Sequence, residues 1–188
     1  MKKENKKIEI VFLLDRSGSM GGLENDTIGG YNSFIKDHKN SNANLTTILF
    51  DNNIELLHDR VEIKKVKPIT NKDYYVRGST ALMDAIGFGI SKISSEAKDS
   101  KVIFVITTDG MENSSREYTK KTIKKLIEKR KAEQAEIMMQ QQAQADAIQA
   151  MNNSQTKRLL AENIDQQNTI NRMKRETKAP MSGKKEEE

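Results

Sequence analysis

The sequence predicts an α/β fold: a mostly parallel, doubly wound sheet with one antiparallel edge strand, truncated at its C-terminal side and followed by a helical extension. Three observations predict it. Short apolar runs of strand composition alternate with segments of helical periodicity. Two of those runs, at 8–14 and 102–107, are almost continuously apolar, as strands covered on both faces of a parallel sheet are. Finally, two kinds of sequence meet near residues 128–134. All nine aromatic residues lie at or before Tyr118 and nine of the ten glycines at or before Gly110, whereas the nine glutamines all lie from Gln134 to Gln167. The first kind can bury a core and the second mostly cannot, which divides the chain into a domain at 7–130, an extension at 131–177 and a disordered tail at 178–188.

The elements follow in order. "KIEIVFLL" (7–14) is a buried strand bounded by turn residues. "LENDTIGGYNSFIKDHK" (23–39) spaces Leu23, Ile28, Tyr31, Phe34, Ile35 and His38 as one face of a helix, and Gly29-Gly30 within it predicts close packing or a break. "ANLTTILF" (43–50) and "NIELLHDRV" (53–61) are strands joined by "DNN", an antiparallel hairpin. Residues 61–79 are mostly loop, with Pro68 as breaker. "TALMDAIGFGISKISSEA" (80–97) aligns Leu82, Ile86, Ile90 and Ile93 on one helical face. "KVIFVITT" (101–108) is the second buried strand, and 115–129 is a helix with a thin apolar stripe, capped by Ser114 or Ser115.

Composition excludes several classes. There is no cysteine, hence no disulfide framework and no thiolate metal site. The apolar run near the N-terminus spans only Ile10–Leu14 between Glu9 and Asp15, too short and too charged for a signal peptide, and no stretch reaches membrane length. The expectation is a cytoplasmic chain without a membrane anchor. In such a compartment the Asn-x-Ser/Thr sequons at Asn25, Asn44, Asn113 and Asn152 stay unmodified. Of the net charge of +5, much sits in "KKTIKKLIEKRK" (120–131), with seven Lys/Arg against one Glu. A solvated helix face accounts for it. The sharper alternative is nucleic acid bound through 120–131 and 172–185, which lacks the aromatic platform that base stacking needs.

The chemistry concentrates where strands end. In open α/β sheets ligands sit beyond the carboxyl ends of the strands, and Asp15 and Asp109 both stand there. Asp15-x-Ser17-x-Ser19 offers a carboxylate and two hydroxyls that converge by alternation, while Arg16 and Gly18 point elsewhere. A hard divalent cation takes oxygen ligands of this kind. Thr80, at a loop-to-helix junction, and Asp109 add two more oxygens.

D-R-S-G-S-M after one buried strand, G-S-T-A-L-M-D-A into a helix, and T-T-D-G after another buried strand, in that order, resemble the von Willebrand factor A (vWA) domain, in its prokaryotic intracellular branch rather than an extracellular adhesin. The resemblance covers about residues 7–130 and implies a Rossmann-like sheet with a metal-ion-dependent adhesion site (MIDAS). Asp15, Ser17 and Ser19 match its first loop, Thr80 its second and Asp109 its third. It implies Mg²⁺ or Mn²⁺, and a binding module that is not an enzyme, whose incompletely neutralised cation takes an Asp or Glu of a partner protein. An AAA+ ATPase is among the partners the resemblance admits. Asp84, one turn after Thr80, either steadies a ligand from behind or is an ordinary first-turn acid favoured by the helix dipole. Arg77 reads as a surface residue. His38 and His58 read as structural, with no nucleophile beside either, and a metal-dependent hydrolase is disfavoured for want of a general base near the rim.

A complete domain of this kind would continue with further strands. Instead, 131–177 is rich in Ala, Gln and Glu and free of Gly and Pro, which predicts one long helix. Ile137, Ile148, Leu159 and Ile170 recur every eleven residues, a nearly straight stripe. Such a stripe could pair with a second copy in a coiled coil or fold back over the apolar edge that the missing strands leave at 102–107. Coincidence over a polar helix explains it equally well.

Overall fold

The computed structural model describes residues 7–176, with side chains as far as Met173; the expected disordered tail at 178–188 lies outside the described residues. The chain forms β1 (Ile8–Asp15), α1 (Glu24–His38), β2 (Ala43–Phe50), β3 (Ile54–Glu62), α2 (Leu82–Glu96), β4 (Lys101–Thr107) and α3 (Lys120–Glu176), with short 3₁₀ turns at Gly18–Met20 and Ile63–Lys65. It divides into two compact units, the first ending at Ile137 and the second starting at Met138.

The four strands make one sheet in the order β3-β2-β1-β4. β1 pairs in parallel with β2, from Ile8 opposite Ala43 to Asp15 opposite Phe50, and in parallel with β4, from Ile8 opposite Lys101 to Leu14 opposite Thr107. β3 returns antiparallel to β2, with a register irregularity around Thr47. This is the mixed α/β sheet the alternation of runs predicts. Side-chain alternation splits β1 between two cores. Phe12 and Leu14 pack with Tyr31 and Ile35 of α1 on one face, and Val11 and Leu13 pack with Ala85 and Ile93 of α2 on the other. Each such side chain fully buried contributes about 1.5–3 kcal/mol. Register therefore aims the C-terminal ends of β1, β2 and β4 at the same rim.

Three expectations need correction. β4 is not buried on both sides: Ile103 and Ile106 are 38% and 42% exposed. The strand pairs with β1 alone, so its apolar composition meets an edge that nothing within the sheet completes. Gly29 and Gly30 mark neither close packing nor a break. Both are exposed, a Cβ at either would meet nothing within 4 Å, and α1 runs straight through them. The last helix begins at Lys120 rather than near 115, and its cap is Thr119, whose hydroxyl accepts the Thr122 N–H at 3.2 Å. It continues without a break through the extension. From Met138 to Met173 every residue is exposed, including Ile148, Leu159 and Ile170 of the eleven-residue stripe. Among the described residues no helix is long and apolar enough to cross a membrane.

Candidate metal centre

β1 delivers Asp15 to the rim with no exposed surface. A buried carboxylate must find donors, and Asp15 finds them on two sides. The Ser17 N–H donates to its Oδ1 at 2.8 Å, a local turn that Asp followed by Ser favours. The Thr108 hydroxyl donates to its Oδ2 at 2.6 Å from the end of β4. The Tyr74 hydroxyl donates to the Asp15 carbonyl, and burial pushes that phenol up to about 12, so it stays a donor.

From Asp15 the chain turns through the 3₁₀ segment, which returns Ser19 to Ser17 with their hydroxyl oxygens 3.1 Å apart. The Thr80 hydroxyl donates to Ser17 Oγ at 2.9 Å. Two backbone bonds hold the first and second loops together: Gly18 N–H to the Gly78 carbonyl at 2.9 Å, and Arg77 N–H to the Arg16 carbonyl at 2.7 Å. Gly78 has φ +70° and a Cβ there would run into the Asn52 side chain, so this close approach requires glycine.

The third loop closes the site at Gly110. A Cβ at Gly110 would lie 2.8 Å from Ser19 Oγ, 2.9 Å from Thr80 Oγ1 and 3.6 Å from Asp15 Oδ2. Oxygens from two loops and a strand end thus face one small space that a side chain on the third loop would fill. The donors gathered there are hydroxyls and one carboxylate, with no nitrogen or sulfur, a set that fits a hard cation. Among the described residues there is no group of three or more His, Asp or Glu that could hold a metal. A cation here would therefore be held by few charges.

Of the five candidate ligands, the structure brings Asp15, Ser17, Ser19 and Thr80 together. Asp109 lies between two residues that touch the cluster, Thr108 and Gly110, but is exposed, and among the described residues it makes no hydrogen bond or salt bridge. Asp84 turns elsewhere: its carboxylate accepts the N–H groups of Arg116, Glu117 and Tyr118 at 2.8, 3.0 and 2.8 Å, tying the segment before α3 to the start of α2. Thr80 does not cap α2. That cap comes from the third loop, where Glu112 Oε2 accepts the Met83 N–H at 2.8 Å and Ser115 Oγ accepts the Asp84 N–H at 3.1 Å.

Beneath the first two loops lies an ion cluster absent from the sequence reading. Arg16 points away from the ligand side, as alternation requires, into complete burial. Its Nε donates to Asp51 Oδ2 at 2.9 Å and its Nη1 to Glu55 Oε2 at 2.6 Å. Arg77 is exposed but not an idle surface residue, since its Nε reaches the same Asp51 oxygen at 2.7 Å. Burial raises the Asp51 pKa, but the hydrogen bonds from Arg77 and Asn53 and the Arg16 charge outweigh it and hold the carboxyl below its ordinary range. Asp51 had a signal: like Asp15 and Asp109, it is a carboxylate directly after an apolar strand. Thr108 stood in "TTDG" beside Asp109. The histidines lie elsewhere. His38 stacks on Phe34 of α1, and His58 in β3 has Nδ1 3.3 Å from the Tyr31 hydroxyl.

No protein-family model matches the sequence, and no curated protein does. Solved structures do match. The chain is similar to a D319A mutant of the PilB minor pilin from Streptococcus sanguinis, at 18% identity and TM-score 0.50, over 57% of this chain and 31% of that one. It is also similar to the ArnB paralog VWA2 from Sulfolobus acidocaldarius, at 20% identity and TM-score 0.47, over 59% and 29% of the two chains. A third is proximal thread matrix protein 1 from the mussel byssus, with a zinc-occupied MIDAS motif, at 18% identity and TM-score 0.44, over 66% and 33%. The chain thus spans about a third of the length of these structures. At such identities the likeness to the pilin is one of fold.

Proposed function

We propose that residues 7–130 form a vWA-like binding module that recognises an acidic side chain of a partner protein through a divalent cation, Mg²⁺ or Mn²⁺, held by Asp15, Ser17, Ser19, Thr80 and Asp109. The observation that carries this reading is the convergence of Ser19, Thr80 and Asp15 oxygens on the space beside Gly110. When bound, the cation supplies an electrophilic centre for an outside carboxylate. The chain's own residues do the rest. Thr108 and the Ser17 N–H orient the Asp15 carboxylate. The hydroxyls of Ser17, Ser19 and Thr80 hold position without neutralising charge. Asp109, exposed and unbonded among the described residues, is free to swing toward the metal, and a partner Asp or Glu completes the set. Binding rather than catalysis is supported by the engagement of both histidines in contacts with Phe34 and Tyr31.

Thermal unfolding with and without Mg²⁺ or Mn²⁺ tests the site. A ligand specific for the folded state stabilises by about 1.4 kcal/mol at roughly ten times its dissociation constant, which raises the midpoint of a domain this size by about 3–6 °C. The natural chain is expected to show that shift. Asp15→Ala is expected to lose it, and so is Gly110→Ala, whose methyl group occupies the space itself. A shift of equal size in all three chains would refute the site.

A further inference from the structure

The first unit holds a cavity away from the candidate metal centre, in the angle between α2 and the start of α3. Its volume is about 340 Å³, the scale of a small-molecule site. Val102, Phe104 and Ile106 of β4 form its floor. Ile90 of α2 and Ile123 and Ile127 of α3 form its walls. It opens at the edge of the sheet, since among the described residues no strand lies beyond β4 to bring another helix over this floor.

One end of this apolar space is basic. Arg130 lines it and is only 9% exposed. Its Nη2 donates to the Ala97 carbonyl at 2.6 Å, but its Nε and Nη1 are buried and, among the described residues, find no acceptor. A buried guanidinium left with unmet donors is costly. Apolar walls alone would not call for one. Lys131 lines the same end, as does Gln134, whose amide nitrogen donates to the Ser100 carbonyl at 2.9 Å. Along α3 the polar end at Arg130 and the apolar end at Ile123 are seven residues apart, about 10 Å of helix. The cavity is thus amphipathic along its length, with a cation at one end and branched aliphatic side chains along the rest.

We propose that this cavity binds a medium-chain aliphatic carboxylic acid, its carboxylate at Arg130 and Lys131 and its chain along Ile127 and Ile123 over β4. A carboxylate brings acceptors and a counter-charge to the end of the cavity lined by the under-bonded Arg130 guanidinium and Lys131, in charge-assisted bonds that a neutral head group cannot match. The chain replaces water against the exposed face of Ile106. No part of this rests on the metal site.

The test uses the full chain, with dodecanoate and dodecanol as probes below the concentrations at which they aggregate, followed through isoleucine methyl NMR signals. Dodecanoate is expected to bind saturably, shifting Ile90, Ile123 and Ile127, and to bind at least about tenfold tighter than dodecanol. Arg130→Met is expected to remove that gap while leaving dodecanol binding in place. Ile127→Trp, which narrows the cavity, is expected to weaken both. EDTA is expected to change none of it. Absence of saturable binding overturns the proposal, as does equal binding of acid and alcohol by the natural chain, which needs no variant. A gap that survives in Arg130→Met overturns the placement of the carboxylate.

Discussion

Arg16 follows a candidate metal ligand in sequence, yet it is the largest fully buried side chain of the first unit. A guanidinium is tolerated there because Asp51 and Glu55 meet it directly, and removing one partner of such a buried pair costs about 3–5 kcal/mol. Asp51→Asn is therefore expected to lower stability by about that much at pH 7. The Asp51 pKa is depressed in the folded state relative to its ordinary 3.8. Its contribution is thus complete above the unfolded value and lost as pH falls through the folded one. Urea unfolding at pH 7 and near pH 3 checks this: the gap between the natural chain and Asp51→Asn should narrow at the lower pH, and a constant gap would contradict the assignment. At this scale Asp15, Ser17, Ser19 and Thr80 were legible because their convergence is set by local alternation and one junction. The Arg16–Asp51–Arg77 cluster was not, because it joins the ends of β1 and β2 to the loop before α2, which only the sheet register brings together.

Among the elements, α2 shows a dependence that its own sequence hides. Its N-cap position is Ala81, which offers no side-chain acceptor, and the first-turn N–H groups are met instead by Glu112 and Ser115 from the loop after β4. Helix ends leave such groups unsatisfied unless something supplies acceptors. Burial raises the Glu112 pKa, but the backbone bonds from Met83 and Ser115 outweigh it and hold the carboxyl below its ordinary range. Glu112→Ala is expected to cost about 1 kcal/mol, the usual worth of a cap, seen as a lower urea midpoint with an unchanged slope. The same contact fastens the third loop of the candidate site, so the metal response should weaken in that variant too. A cap supplied from about thirty residues away leaves no mark in the sequence next to the helix. The strand edge was misjudged for the converse reason: "VIFVIT" has the composition of an interior strand, and composition does not say how many neighbours a strand finds.

Across the whole molecule, stability is expected to be uneven. β1 and β2 are buried along nearly their full length, whereas residues 138–173 bury no side chain. Helix propensity alone leaves even good helix formers marginal. Hydrogen exchange in dilute solution should thus be orders of magnitude faster across 138–173 than across 8–15, and comparable protection in both would mean that the long helix has a partner. What the sequence by itself determined was whatever depends on near neighbours: the strands and helices and their order, the change of composition near residue 130, the helical character of the extension, and the oxygen-bearing loop after β1. Only the tertiary structure decided that three oxygens face a space held open by Gly110, that Asp109 beside it is exposed, that a third loop caps α2, and that β4 is left as an edge above a cavity with a buried arginine. The physical reason is range. Propensity, periodicity and turn chemistry act within a few residues, while register and packing join residues up to about ninety positions apart, as Thr108 and Asp15 are, and a linear reading has no measure of that distance.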